Sequence, residues 1–295
     1  MPPIVPRLLS AGLVVGSAAL AWGLAEAHAF TVRRVSVPVL PRGSQPIRVL
    51  HLSDLHLTPS QRDKIAWVRD LANEPVDLVV TTGDNLGHEH AVAPLLAAYA
   101  PLTGVPGVFV FGSNDYHGPL PKSPFLYFGG PSSVHARARE LPTEDLRRGL
   151  ADAGWLDLNN ARATLTLRDS VVSFVGLDDP HIGRDNLPEP TADTGDLRVG
   201  VVHAPYLRAL GALRDDGARL ILAGHTHGGQ VCLPGYGTLV TNCDLDRRRA
   251  RGLHAWPDGA EDTWLHVSAG LGTSPYAPVR VACRPEATIL TLVPA

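Results

Sequence analysis

Cysteine, lysine and aromatic residues are all scarce in this 295-residue chain. The three cysteines, Cys232, Cys243 and Cys283, form no CxxC pair, so neither a disulfide framework nor a zinc–thiolate site is implied. Lys64 and Lys122 are the only lysines among 26 basic residues. Against 29 acidic residues the basic ones leave a formal net charge of −3. No excess of positive charge is available to neutralise a phosphate backbone, and nucleic acid is not expected as a partner. At 44% hydrophobic and 19% charged, the chain is too long and too apolar for a disordered or disulfide-stapled mini-protein. It fits one large domain, or one domain plus an appendage.

Long hydrophobic runs are also missing, except at the start. Leu8 to Leu24 (LLSAGLVVGSAALAWGL) carries no charge and follows Arg7. That length is at the short end for a membrane-spanning helix and long for a signal-peptide core. The small residues of Ala25–Ala29 leave a cleavable signal as the alternative to an uncleaved anchor. Arg7 on one side and Arg33, Arg34 and Arg42 on the other leave the orientation open. The expected organisation is therefore an anchor or signal segment over 1–29, a strand and linker over 30–46, and a catalytic domain over 47–295. The expected location is membrane-associated, or the cell envelope or exterior if the segment is cleaved.

From Ile47 onward, strand and helix patterns alternate. IRVLHLS, VDLVVTTG, GVFVFG, VVSFVGL, LRVGVVH and ARLILAG read as strands. Their short, continuous apolar runs predict strands buried on both faces. Residues around 60–74, 89–100, 143–153 and 206–214 read as helices, and the alternation predicts a layered α/β fold. Tyr116 to Glu140 is long, rich in Pro, Gly and Ser, and carries FLYF. It is read either as a surface excursion or as a lid or membrane-facing loop beside the site.

Metal-binding residue types gather where these strands end. The first ends in Asp54-Leu55-His56, whose period-2 spacing sends both side chains the same way. The others deliver Asp84, then Ser113-Asn114-Asp115, then His203, then His225-Thr226-His227. Ligands in open α/β sheets bind at the carboxyl ends of strands, so these strands aim one set of side chains at one place. Asp, His and Asn without thiolate suit Mn, Fe, Zn or Mg. Six or seven ligands exceed one tetrahedral shell and suit a pair of divalent ions sharing a carboxylate. Such a pair outweighs two aspartates in charge, attracts an anion and acidifies coordinated water. A phosphate ester is the matching substrate.

Asp54-x-His56, Gly83-Asp84, His203 and Gly224-His225-Thr226-His227-Gly-Gly together resemble the calcineurin-like metallophosphoesterases, over roughly residues 46 to 293. The apolar start, SDLHL and GHTHGGQ look most like the membrane-associated branch, which includes UDP-2,3-diacylglucosamine hydrolases and related envelope phosphodiesterases. The resemblance implies two mixed β-sheets packed as a sandwich flanked by helices, following an N-terminal apolar helix. It also implies one ion on Asp54, His56 and His227, a bridging Asp84, and a second ion on His203 and His225.

The third motif departs from the family. Gly-Asn-His-Asp or Gly-Asn-His-Glu is usual, but here the text is Gly112-Ser113-Asn114-Asp115-Tyr116-His117. Without a gap, Ser113 takes the ligand position and Asn114 the histidine position. With a one-residue slip, Asn114 is the ligand and Asp115 replaces the histidine. The better ligand character of a carboxamide favours Asn114, and His117 could fold back. A general acid matters most for a poor leaving group, whereas a phosphate leaving group hardly needs protonation. The missing histidine therefore points to pyrophosphate-type or other activated diesters.

Two segments are read less sharply. In Gly176–Arg184, the residues Asp178, Asp179, His181 and Arg184 either line the substrate entrance or make a turn. Asp244–Arg251 is a solvated basic loop, or a contact for anionic lipid or substrate. The expected protein is a dinuclear-metal phosphoesterase acting on a small-molecule or lipid-linked phosphodiester or pyrophosphate, with the membrane as partner through its N-terminal segment. A soluble cyclic-nucleotide phosphodiesterase and a non-catalytic metal-binding protein are the rival readings.

Overall fold

The computed structural model describes residues 16–120, 138–191, 195–257, 263–273 and 276–295. Two six-stranded sheets make the frame. The strands in chain order are β1 (Thr31–Leu40), β2 (Ile47–Leu52), β3 (Leu78–Thr81), β4 (Gly107–Phe109), β5 (Leu156–Asp157), β6 (Arg162–Leu167), β7 (Ser170–Gly176), β8 (Leu197–Val201), β9 (Leu220–Ala223), β10 (Cys232–Leu233), β11 (Gly237–Thr238), β12 (Gly252–Ala255), β13 (Trp264–Val267) and β14 (Glu286–Pro294). The helices are α1 (Arg62–Asp70), α2 (Val92–Tyr99), α3 (Ser113–Tyr116), α4 (Thr143–Asp152) and α5 (Leu207–Asp215). The first sheet runs β1-β14-β2-β3-β4-β5 and the second β12-β13-β9-β8-β7-β6, with β10 and β11 as a separate ribbon.

Period-2 alternation sorts each strand's side chains between two layers. Val49, Val80 and Val108 of the first sheet face Val172, Val199 and Leu222 of the second in one apolar layer. On the outer side of the first sheet, Leu50, Val79 and Phe109 pack with Val68, Leu95 and Leu146 of α1, α2 and α4. On the outer side of the second, Val175 and Ile221 pack with Leu210 and Leu213 of α5. Each such side chain contributes roughly 1.5–3 kcal/mol by leaving water. Strands β3 and β9 are buried at every residue, as expected of strands covered on both faces.

The parallel runs β2-β3-β4 and β13-β9-β8-β7 send their carboxyl ends into the same region. That placement positions the site. The strand expected in 30–46 is β1, paired in parallel with β14. Strand β14 had no counterpart among the strands read from the sequence, nor did β6, β12 and β13.

Of the expected membrane-spanning segment, residues 16–26 are described and are helical. Among the described residues no helix is long and apolar enough to cross a membrane. Residues 8–15 of the apolar run lie outside the described residues. So does most of the Tyr116–Glu140 segment, including FLYF.

Candidate metal centre

Six strand-end residues converge. His56 Nε2 lies 3.1 Å from His227 Nε2, and His227 Nε2 lies 3.6 Å from Asp54 Oδ1. Asp84 stands between two histidines, with Oδ2 3.5 Å from His56 Nε2 and Oδ1 3.5 Å from His203 Nε2. His225 Nδ1 is 3.3 Å from His203 Nε2. Asp54, His56 and His227 form one group whose donor atoms lie within 4.8 Å of one another, and Asp54, Asp84 and His203 form a second. Asp54 is thus common to both groups, while Asp84 offers one oxygen to each side.

The backbone is strained where these side chains emerge. Asp54, His56, Asp84, His225 and His227 all have positive φ, between 41° and 70°. A left-handed backbone costs a non-glycine residue of order 1–3 kcal/mol and persists only where the surroundings over-determine it. Glycines make the close approach possible. A Cβ on Gly112 would stand 2.4 Å from Asp84 Oδ1 and 2.6 Å from His203 Nε2; one on Gly224 would stand 1.9 Å from Ser53 Oγ.

Each imidazole but one is held through its far nitrogen. His203 Nδ1 meets the Thr82 carbonyl at 2.6 Å, His225 Nε2 the Asn242 carbonyl at 3.1 Å, and His227 Nδ1 the Gly272 carbonyl at 3.1 Å. A carbonyl there fixes the tautomer and leaves the near nitrogen with a free lone pair, as a metal ligand requires. His56 Nδ1 is buried without a partner. Burial, reinforced by neighbouring cations and imidazoles, holds His225 and His227 well below the usual imidazole range and brings His56 down to about 4. Burial raises Asp54 to about 6, with Asp84 adding to the rise against His203. Burial opposes ionisation of Asp84 too, yet His203, His56 and the Asn114 N–H hold it well below the carboxylate range. His203 goes the other way: burial lowers it, but Asp84, Asp179 and Asp54 raise it well above the usual range. Buried carboxylates and imidazoles crowded this closely are the donor set of divalent ions, and these residues fit a pair of them.

Behind Asp54 runs a buried chain. Ser53 Oγ donates to Asp54 Oδ2 at 2.5 Å, Thr82 Oγ1 donates to Ser53 Oγ at 2.7 Å, and His51 Nε2 lies 2.9 Å from Thr82 Oγ1. His51 Nδ1 then meets His266 Nδ1 of the opposite sheet at 3.0 Å. Arg280, fully buried, donates to the carbonyls of Ala269, Gly270, Gly272 and Cys283. The sequence reading reached none of Thr82, Asn242, His266, Gly272 or Arg280. Most of them act through the backbone or lie far from the ligands in sequence, and only Ser53, beside Asp54 in SDLHL, carried a local signal.

In the third motif, Asn114 is the residue that reaches Asp84. Its N–H donates to Oδ1 at 2.8 Å and its Nδ2 to Oδ2 at 2.7 Å. Rotation of this amide about its terminal torsion would turn its oxygen, the ligand atom, to the same point. Asp115 is fully buried and accepts from the N–H groups of Asn85, Leu86 and Gly112 and from Asn85 Nδ2. Its carboxylate is occupied in tying α3 to the loop after β3. His117 sits in an isolated bridge with Glu140.

The 178–184 segment lies beside the centre. The His181 ring is 4.6 Å from that of His225, and its Nδ1 is 3.0 Å from the Tyr206 hydroxyl. Asp179 is fully buried; its Oδ1 accepts from the His181 N–H while Oδ2 has no partner. Burial and nearby Asp84 raise it to about 7, against the pull of His203. Arg184 pairs with Asp178 and lays its guanidinium over the Tyr116 ring at 4.2 Å.

Fold and site together define a metal-dependent phosphoric ester hydrolase. Residues 47–229 match the calcineurin-like phosphoesterase family, and the chain belongs to it; the family uses two divalent ions. The chain is 28% identical to the Bacillus subtilis metallophosphoesterase YkoQ over 252 residues, 82% of each chain. It is 26% identical to the Escherichia coli phosphodiesterase YaeI over 254 residues, 84% of this chain and 83% of that one. It is 25% identical to the Chlamydia trachomatis UDP-2,3-diacylglucosamine pyrophosphatase LpxG over 284 residues, 83% of each.

Proposed function

We propose that this enzyme hydrolyses a phosphodiester or pyrophosphate bond in a substrate held at a membrane. The observation that carries the reading is Asn114, not a histidine, standing on Asp84 within the donor cluster. Asp54, His56 and His227 would hold one divalent ion and His203 and His225 the other, with Asp84 between them and Asn114 completing the second set. The bound pair supplies Lewis acidity and a nucleophile at neutral pH.

The chain's own residues do the rest. The carbonyls of Thr82, Asn242 and Gly272 orient the three rings, and Ser53 and the His225 N–H orient Asp54. His181, whose ring lies beside that of His225, and Arg184 would line the substrate entrance, with Arg184 gripping a phosphoryl oxygen. No histidine stands beside Asp84 in the third motif to protonate a poor leaving group, which favours a leaving group that is itself a phosphate or other weak base. The likeness to LpxG and YaeI supports the same bond types. The exposed apolar helix 16–26 supports a membrane-held substrate: only Gly23 and Glu26 of it are buried.

The test is a rate comparison of purified protein with Mn on lipid-linked pyrophosphates, nucleotide sugars, cyclic nucleotides and alkyl phosphomonoesters. Pyrophosphates should be hydrolysed fastest. Alkyl monoesters turned over as fast as the pyrophosphates would overturn the leaving-group argument, and cyclic nucleotides turned over fastest would overturn the membrane-held substrate.

A further inference from the structure

A cavity of about 590 Å³, lined by none of the six residues of the donor cluster, opens between helix 16–26, β1 and the segment before β14. It is lined by Trp22, Ala25, Glu26 and Ala29 and by three arginines, Arg33, Arg251 and Arg284, with Ala282. Its volume falls in the range of small-molecule sites. The charges are unevenly answered. Arg33 pairs with Glu286. The two oxygens of Glu26 are already taken, accepting from the Cys283 N–H at 2.6 Å and from Trp22 Nε1 at 2.8 Å. Arg284 donates only to the carbonyls of Ala29 and Phe30, and Arg251 to that of Ala282 at 3.4 Å. Among the described residues, neither Arg251 nor Arg284 has a carboxylate partner.

On the cavity side of the helix Trp22 is 66% exposed, and on its other flank Leu20 and Leu24, one turn apart, are 57% and 41% exposed. A cationic cavity with an exposed, amphipathic tryptophan at its rim, on a helix whose other flank exposes leucine, matches a molecule with an anionic head and an apolar tail. Arginine forks onto phosphate oxygens, and tryptophan settles at the headgroup level of a bilayer. We propose that this cavity receives the phosphate headgroup of an anionic phospholipid, with Leu20, Trp22 and Leu24 entering the adjoining acyl layer. The site holds the enzyme on a charged leaflet and uses none of the metal centre's donor residues.

The full chain is tested by flotation with vesicles of phosphatidylcholine alone and with about one-fifth phosphatidylglycerol. The quantity read is the ratio of binding to the two, because the apolar N-terminal run contributes to both. An arginine near an anionic surface is worth about five-fold in partitioning, so Arg251→Gln should lower the ratio by about that factor. Ala25→Trp fills the cavity without altering charge and should lower it comparably. Turnover of bis-p-nitrophenyl phosphate in both variants reports folding and tests the hydrolase reading separately. An unchanged ratio in Ala25→Trp would overturn the proposal, since surface charge alone would then explain binding. Equal binding of the parent chain to the two vesicle compositions would overturn it too, by leaving the cavity to a free phosphate and not to a lipid headgroup.

Discussion

Lys64 is 5% exposed, and its Nζ donates to the Leu55 carbonyl at 2.7 Å, directly behind the loop that carries Asp54 and His56. Burial, helped by Arg280, brings it from 10.5 down to about 7. Between those values the unfolded chain holds the extra proton, so stability rises as pH increases through that window, and the full cost of burying the cation is present below about pH 7. In chelator-treated protein, Lys64→Met should raise Tm by several degrees at pH 6, with the gain shrinking toward pH 10. Calorimetry at the two pH values checks this, and an equal shift at both would refute it. Asp84→Ala should lower turnover by at least about 10²-fold, the scale of losing one electrostatic stabiliser, and reduce bound metal to one ion or none by elemental analysis. Asn114→Ala should cost more activity and metal than Ser113→Ala, because only Asn114 reaches the Asp84 carboxylate in the structure. Loss of metal confined to Ser113→Ala would reverse that assignment.

The elements act on the site through the turns at their carboxyl ends. Helix α3 is only four residues long and depends on Asp115, whose carboxylate gathers three backbone N–H groups and the Asn85 amide. Asp115→Ala should destabilise the protein by about 1–3 kcal/mol through those unsatisfied donors, measured by denaturant melts. The same hook decides how a leaving-group acid could be restored. Asp115→His would break it, whereas the pair Ser113→Asn with Asn114→His keeps it and rebuilds Gly-Asn-His-Asp. Because that double variant also takes the Asn114 carboxamide away from Asp84, it should lose metal and turnover; faster alkyl-ester hydrolysis at full metal occupancy would instead put residue 113 at the ligand position. At this scale much was legible. Strands β2, β3, β4, β7, β8 and β9 are short apolar runs closed by glycine or a polar residue, a pattern that only a doubly covered strand needs. Strand β14 was not, because its role is defined by pairing with β1 and β2 from the far end of the chain.

The whole molecule joins its beginning to its end around the metal centre. Gly23 and Glu26 bond to Arg280 and Cys283, and Cys283 and Arg280 in turn touch the His227 carbonyl. Deleting residues 2–15 should therefore leave turnover of a small chromogenic diester intact, whereas deleting 2–30 should lower both Tm and turnover. Equal behaviour of the two truncations would show that these bonds do not support the site. Chelation should abolish turnover of either active form, and added Mn should restore it. The candidate ligand residues were legible locally, Asp54 and His56, and His225 and His227, each lying two residues apart just beyond a strand; that their side chains converge from left-handed turns and not from extended strand was not legible. Which carbonyl orients each ring was decided only by the tertiary structure, since the pairs His203–Thr82 and His227–Gly272 span 121 and 45 residues. So was the His51–His266 contact, 215 residues apart. These partners are backbone oxygens or side chains brought close only when the two sheets stack, and a carbonyl has no residue type by which a sequence could announce it.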